Sequence, residues 1–388
     1  MEYKGDSLKT LENFIFVKEM NEGEKFKDLL TIDNKNGKIF TTKKVPLNIS
    51  DLNYLNTNYK LIKKNKDKIA YYYDIKKTKH NYYFVVEYFN GGNLKNFQKN
   101  YKTAKNSQLT EKFIRNCIYQ IITQLKILYQ NKGLYHFVRP ENILINLDMY
   151  ENRIVNGNLP PKIDYSKLII DNEPFTLKFG NYFHFQNIEG TEKIEVGNYM
   201  SPEMATKYKS GENKITITDY SKNDIWSIGV LTYELLTGKK IFEGNTPEGT
   251  YNNIINGKYS LPSGLKASNE IISFIIELLQ YSPEKRLDLE QIKDLPFLKK
   301  EVEDYNFIEI KGKDVEVDSR DPKSGLTILK KAIFGEEEDD EAKMREKELN
   351  IIKKEILGLN EENLKAITDF EKDLKALKNL LNISNLKK

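Results

Sequence analysis

At 388 residues, with 39% hydrophobic and 30% charged content, the chain is long enough for a two-lobed domain with an appendage, and its composition is that of a globular protein. The 61 basic residues exceed the 57 acidic ones closely enough to leave a net charge of only +4, which excludes bulk attraction to nucleic acid or a membrane surface as a basis for function. No stretch reaches the roughly 18 apolar residues of a membrane span. The first residues lack a signal-peptide pattern, and Glu2 stands where myristoylation needs glycine. A single cysteine, Cys117, precludes an internal disulfide and fits a reducing compartment, so a cytoplasmic protein is expected.

After an N-terminal extension (1–11), residues 14–75 carry short apolar runs broken by turn chemistry such as Asp33-Asn-Lys-Asn-Gly37, which predicts strands and hairpins. A helix is expected over about 49–64. Ile69–Ile75 and Tyr82–Tyr88 are rich in tyrosine, valine and isoleucine, and Lys76–Asn81 joins them as a hairpin. Beyond Gly91-Gly92 the period changes. Phe113, Cys117, Ile118, Ile121, Leu125 and Leu128 recur at helical spacing behind the cap-like Thr110-Glu111. Cys117 within this run reads as a small core residue rather than a nucleophile. Further helices are predicted over Asp224–Leu236, closed by Gly238, and over Glu270–Leu279, with the pattern ending near Leu298. No period of 20–50 residues repeats, so a solenoid is not expected. A polar connector (300–342) holds the acidic run Glu336–Glu341. In the tail (343–388), Leu349, Ile352, Ile356 and Leu359, then Ile367, Phe370, Leu374, Leu377 and Leu381, alternate three and four apart, as a coiled-coil seam requires. Gly358 as a stop and Asn360 as a cap would make a helical hairpin; a stutter would make one long helix, and both readings stand.

Five collinear segments resemble the signature set of eukaryotic protein kinases. Val85-Val-Glu-Tyr88 with Gly91-Gly-Asn-Leu94 is similar to the last small-lobe strand and hinge, with Val86 as gatekeeper. Tyr135-His-Phe-Val-Arg-Pro-Glu-Asn142 resembles the catalytic loop, Gly197-Asn-Tyr-Met-Ser-Pro-Glu203 the end of the activation segment, Asp224-Ile-Trp-Ser-Ile-Gly229 the start of the central large-lobe helix, and Ser282-Pro-Glu-Lys-Arg286 the arginine segment. The resemblance implies an α+β, bilobal fold over 12–299: a strand-rich small lobe (about 12–89), a helical large lobe (about 93–299) and an insertion (about 147–174). It further implies that Glu203 pairs with Arg286 and that Asp224 holds the catalytic-loop backbone.

Phosphoryl transfer in such proteins needs a glycine loop over the phosphates, a lysine held by a glutamate, two metal ions and an aspartate that accepts the hydroxyl proton. The loop equivalent, Met20–Leu29, keeps only Gly23 and places Glu22 and Glu24 beside it, with Lys25 and Lys27 as a partial offset. Lys43, in Thr41-Thr-Lys-Lys-Val45, is the candidate ATP lysine. No glutamate occurs between Lys25 and Val86 to hold it, and Asp51 lies too early in the predicted helix to substitute. Phe137 stands at the catalytic aspartate position, and no aspartate occurs between Asp74 and Asp148 to restore one in another register. For the metal aspartate, Leu177-Lys-Phe-Gly-Asn181-Tyr-Phe183 puts an asparagine in place, whereas Lys162-Ile-Asp164-Tyr-Ser166 would keep the carboxylate. Asn142 and Asn181 would together offer a magnesium ion no anionic oxygen.

The expected protein is therefore a pseudokinase. Gly23, Lys43, Glu87 and Asn142 form a candidate nucleotide cleft, Asn142 and Asn181 (or Asp164) a degenerate metal site, and no catalytic set is intact. ATP, with or without magnesium, is the only cofactor implied. A protein partner, met through the C-terminal helices or a lobe surface within a cytoskeletal or other assembly, is the expected use, with packing of the C-terminal helices back on the kinase lobe as the equal alternative for the tail. An atypical but active Ser/Thr kinase using Asp164 for its metal is the alternative.

Overall fold

A computed structural model describes residues 10–22, 27–46, 70–130, 138–180, 197–211, 217–310 and 312–321. The chain divides into two compact units, Met1–Leu326 and Thr327–Lys388, and the described residues all belong to the first. The predicted helix at 49–64 and the helical tail lie outside the described residues.

The first half is a six-stranded antiparallel sheet in the order β1-β2-β3-β4-β6-β5. Its strands are β1 (Thr10–Leu11), β2 (Phe14–Glu22), β3 (Lys27–Asp33), β4 (Ile39–Pro46), β5 (Tyr72–Lys77) and β6 (Asn81–Glu87). The β3–β4 hairpin turns where the sequence places its turn residues: the Lys35 N–H donates to the Asp33 carboxylate at 2.9 Å, and Gly37 takes φ +71°, a conformation glycine adopts without a Cβ penalty. Strand alternation then sorts the side chains. Phe14, Phe40 and Val85 pack on one face, and Leu30, Ile32 and Ile39 on the other.

The second half is helical: α1 (Leu94–Lys105), α2 (Glu111–Gln130), α3 (Pro202–Ser210), α4 (Ile217–Thr237), α5 (Pro247–Asn256) and α6 (Asn269–Leu278), with the short α7 (Leu289–Ile292) and α8 (Pro296–Lys299). The apolar stripe of α2 is buried from Phe113 to Leu128, and Cys117 is wholly enclosed within it. Helix α4 starts seven residues earlier than the apolar run suggests, because the apolar stripe marks where a helix is buried, not where it begins. Gly229 lets α4 approach α6, since a Cβ there would lie 3.0 Å from the Leu278 Cβ. Among the described residues no helix is long and apolar enough to cross a membrane.

Two features extend the sequence reading. Strand β11 (Phe307–Glu309) pairs with β10 (Lys266–Ser268), and β12 (Val315–Asp318) pairs with β9 (Lys258–Leu261). Val315 and Val317 are buried, so the packed chain runs on through residues first read as connector. Runs of three or four residues are too short for alternation to announce them.

The second feature is the segment between β7 (Ile143–Leu147) and β8 (Phe175–Phe179), which climbs past the hinge to the small lobe. The Ile39 N–H donates to the Asn152 carbonyl at 2.9 Å and the Ile154 N–H to the Gly37 carbonyl at 2.8 Å. Ile154 and Leu159 pack against Leu30, Ile32 and Ile39 together with Val17, Met20 and Tyr88. Asn90 fastens the base of this strap: its amide donates to the Leu147 carbonyl at 2.9 Å and its carbonyl accepts from the Leu147 N–H at 2.9 Å.

Candidate functional site

The roof of the candidate cleft is the face of the small-lobe sheet that carries Lys43. In the β3–β4 ladder Asp28 lies directly opposite Lys43, and across β6 Lys43 lies opposite Phe84. Asp28, Leu30 and Ile32 alternate along β3 on this face, and Ile39, Thr41 and Lys43 along β4. The Lys43 ammonium donates to the Asp28 carboxylate at 2.8 Å, and the two side chains are only 13% and 15% exposed. Lys27, at the start of β3, pairs with Glu19 at 3.4 Å. Gly23 lies outside the described residues.

Glu87 ends β6. It is an odd number of residues from Phe84, so its side chain turns to the face opposite Lys43. There it meets the Lys178 ammonium at 2.8 Å, and Lys178 is only 10% exposed. The sequence reading placed Glu87 in the cleft with Lys43; strand alternation turns its carboxylate to the opposite face, into an ion pair with Lys178 of β8.

The floor comes from the large lobe. Pro140–Asn142 form one 3-10 turn that leads into β7. Proline at its start fixes φ and sacrifices an N–H with no partner inside the turn. Asn142 is buried, its N–H donates to the Arg139 carbonyl at 3.0 Å, and its carbonyl accepts from the Gly180 N–H at 2.8 Å. Strands β7 and β8 pair from Ile143↔Phe179 to Leu147↔Phe175, so the chain leaves β8 at Gly180 beside Asn142. Gly180 sits so close to the floor that a Cβ would lie 2.5 Å from the Leu144 Cδ1. Asn181, Phe183 and Phe137 lie outside the described residues.

Asp164 belongs to the strap. Its carboxylate accepts from the Ser166 N–H at 3.1 Å and the Ser166 hydroxyl at 2.6 Å, and Lys167 lies 3.4 Å away. These contacts hold its carboxyl below the usual aspartate range, the Ser166 hydroxyl contributing most. The side chain is half exposed and caps a local turn. Among the described residues no group of three or more His, Cys, Asp and Glu is placed to hold a metal ion.

Below the cleft, Arg286 is wholly buried and forks onto Glu203, at 2.7 Å and 3.2 Å. It also donates to the carbonyls of Lys222 at 2.7 Å, Gln280 at 2.9 Å and Tyr281 at 3.2 Å, and its guanidinium lies 5.1 Å from the Trp226 ring centre. Asp224, fully buried, accepts from the Tyr129 hydroxyl. Of the catalytic-loop equivalent whose backbone the resemblance gives Asp224 as partner, residues 135–137 lie outside the described residues. Tyr199 donates to Glu234, and the Ser201 N–H donates to the Asn223 side chain at 2.9 Å. Burial pushes the Glu234 carboxyl up, partly offset by the Tyr199 hydroxyl. These contacts anchor the end of the activation-segment equivalent to α4.

Sequence reasoning missed Asp28. The signal was present, since counting equal steps outward from the Asp33–Lys38 turn brings Asp28 opposite Lys43. It also missed Lys178, whose pairing with Glu87 joins residues distant in the chain and leaves no local pattern.

Comparison with known proteins adds the family. The protein kinase domain model matches residues 14–298. The probable serine/threonine protein kinase IRE4 of Arabidopsis thaliana is 32% identical over 233 residues, covering 56% of this chain and 20% of the plant protein. Aurora kinase C of Mus musculus is 28% identical over 230 residues, covering 59% of this chain and 67% of the mouse protein. Serine/threonine-protein kinase PLK4 of Xenopus tropicalis is 27% identical over 216 residues, covering 56% of this chain and 19% of the frog protein. The match thus spans about a fifth of the plant and frog relatives and about two thirds of the mouse one.

Proposed function

This chain belongs to the protein kinase family, and we propose that it is a pseudokinase: a kinase fold kept as a protein-interaction scaffold after its phosphotransfer chemistry was lost. One observation carries the reading. The chain has no aspartate between Asp74 and Asp148, so no register of the catalytic loop supplies the base that accepts the hydroxyl proton.

The other losses point the same way. The loop at Met20–Leu29 keeps one glycine, and backbone amides need that small residue to approach phosphates. The helix glutamate is missing from the sequence between Lys25 and Val86. Pairing of β7 with β8 supports Asn181 as the metal position, because the chain leaves β8 next to Asn142. Two neutral amides do not fit a divalent magnesium, which takes anionic oxygen. The competing reading, an active Ser/Thr kinase that binds metal through Asp164, draws no support from a carboxylate engaged by Ser166 within the strap.

What remains is architecture. The Glu203–Arg286 pair and the buried Asp224 hold the large lobe whether or not a substrate is present. The heptad-like leucines and isoleucines of the tail offer an apolar seam to a protein partner. A phosphate-transfer assay on the purified full chain, with magnesium and with manganese, tests this reading. Transfer no faster than on the order of 10⁻⁴ s⁻¹ is expected. Transfer at or above about 1 s⁻¹ that disappears in Lys43→Met and Asn142→Ala variants would overturn it.

A further inference from the structure

We infer that Asp28 is a built-in counter-ion that occupies Lys43, so that the cleft discriminates against polyphosphate ligands. This rests on the cleft assignment above but not on loss of the catalytic base, since it concerns binding rather than turnover.

The argument starts from register. Asp28 and Lys43 are cross-strand partners in an antiparallel ladder, one pair outward from Leu29↔Thr42 and four from Ile32↔Ile39. Directly opposed residues point to the same face with Cβ atoms close enough for side chains to meet, so the contact is fixed by the sheet itself. A helix glutamate, by contrast, would come and go with the position of its helix. The contact is an ammonium-to-carboxylate hydrogen bond of 2.8 Å.

Burial makes the pair hard to displace. With exposures of 13% and 15%, neither group has ready access to water as an alternative partner. A phosphate that drew Lys43 away would leave the Asp28 carboxylate enclosed beside a second anion. Removing one partner from such a pair is strongly unfavourable. The neighbouring wall offers no polar substitute, because the residue opposite Lys43 on β6 is Phe84, 1% exposed.

Position gives the pair its consequence. Asp28 is the second residue of β3, near the end of the segment Met20–Leu29 that resembles the phosphate-covering loop. Its negative charge therefore adds to those of Glu22 and Glu24 in the same stretch of sequence. The neighbouring cation, Lys27, turns to the opposite face of the sheet, where it pairs with Glu19. Among the described residues of the β3–β4 ladder, Lys43 is the cation on the cleft face, and it already faces a carboxylate supplied by the chain, where a triphosphate would need it turned to itself.

Binding of ATP, with and without magnesium, and of inorganic tripolyphosphate to the full-length protein tests the inference, by calorimetry on wild type, Asp28→Asn, Lys43→Met and the double variant. Asn keeps the shape of Asp28 while removing its charge. The expected result is at least about tenfold tighter binding of ATP and tripolyphosphate to D28N than to wild type, about 1.4 kcal/mol, and reversal of the gain in the double variant. Equal or weaker binding to D28N would overturn the inference; weaker binding would mean that Asp28 presents Lys43 to phosphate. So would a gain that survives loss of Lys43. If D28N does not fold, acylation of Lys43 in wild type, read by mass spectrometry, decides the matter. It is expected to be slow and unchanged by ATP, and protection by ATP would overturn the inference. Gain of binding in D28N without transfer supports both this inference and the pseudokinase reading, whereas transfer by wild type defeats only the latter.

Discussion

Replacing Arg286 by methionine is the sharpest test of what holds the large lobe. The side chain is wholly buried, and its guanidinium bonds to both Glu203 oxygens and to the carbonyls of Lys222, Gln280 and Tyr281. Methionine fills similar volume but donates nothing. Glu203, 16% exposed, would be left as a nearly buried charge without its partner. Loss of one member of a buried pair costs about 3 to 5 kcal/mol, against a total stability of roughly 5 to 15 kcal/mol. The melting temperature should fall by roughly 6 to 15 °C. Urea unfolding read through Trp226 suits the measurement, because this is the only tryptophan, is fully buried, and lies against both Arg286 and Phe242. Adding Glu203→Gln to R286M should recover part of the loss, since the stranded carboxylate is then gone, with a coupling of about 0.5 to 3 kcal/mol. A change below about 1 kcal/mol in R286M, or strict additivity in the double variant, would refute the reasoning.

Asn90→Ala should release the strap, because it strips partners from the Leu147 N–H and carbonyl; a loss of about 1 to 3 kcal/mol and new proteolytic cleavage within 148–174 are expected. Cleavage no faster than in wild type would argue against the strap being held there. Cys117, wholly buried and with its thiol pushed far up by burial, should react with thiol reagents at least ~10³-fold more slowly in the native protein than in urea. Comparable rates would contradict the packing of α2. Glu111 is buried where it accepts from the Ser268 N–H at 2.7 Å, and burial raises its carboxyl above 4.5. A raised acid binds its proton longer in the native state, so its contribution is present at low pH and lost as pH rises through the native value. Stability curves of wild type and Glu111→Gln should therefore shift in favour of the variant as pH climbs from 4.5, and a shift the other way would contradict the burial argument.

The parts of this molecule legible in its sequence are those whose physics is local. Turn residues at Asp33–Gly37 announce the β3–β4 hairpin, helical spacing from Phe113 to Leu128 announces α2, and five short motifs carry the family. Pairings between distant segments are the parts that stayed hidden. Lys178 meets Glu87 across 91 positions, and Asn152 reaches the Tyr88 carbonyl across 64. Neither leaves a period or a composition to read. Asp164 stands as the alternative to Asn181 because it keeps the carboxylate, yet the same short side chain is what a turn cap requires. Asp28 lies between these cases, since hairpin register was enough to find it once the turn was known.

The central claim is most directly tested with protein in excess over labelled ATP, magnesium or manganese present, and transfer to the chain itself or to a general Ser/Thr substrate followed for hours. Loss of the base alone lowers rates by about 10² to 10⁴ from the 1–100 s⁻¹ typical of kinases, and the missing glutamate and metal carboxylate lower them further. The account predicts a single-turnover rate on the order of 10⁻⁴ s⁻¹ or below. Transfer at or above about 1 s⁻¹, abolished by Lys43→Met, would contradict it.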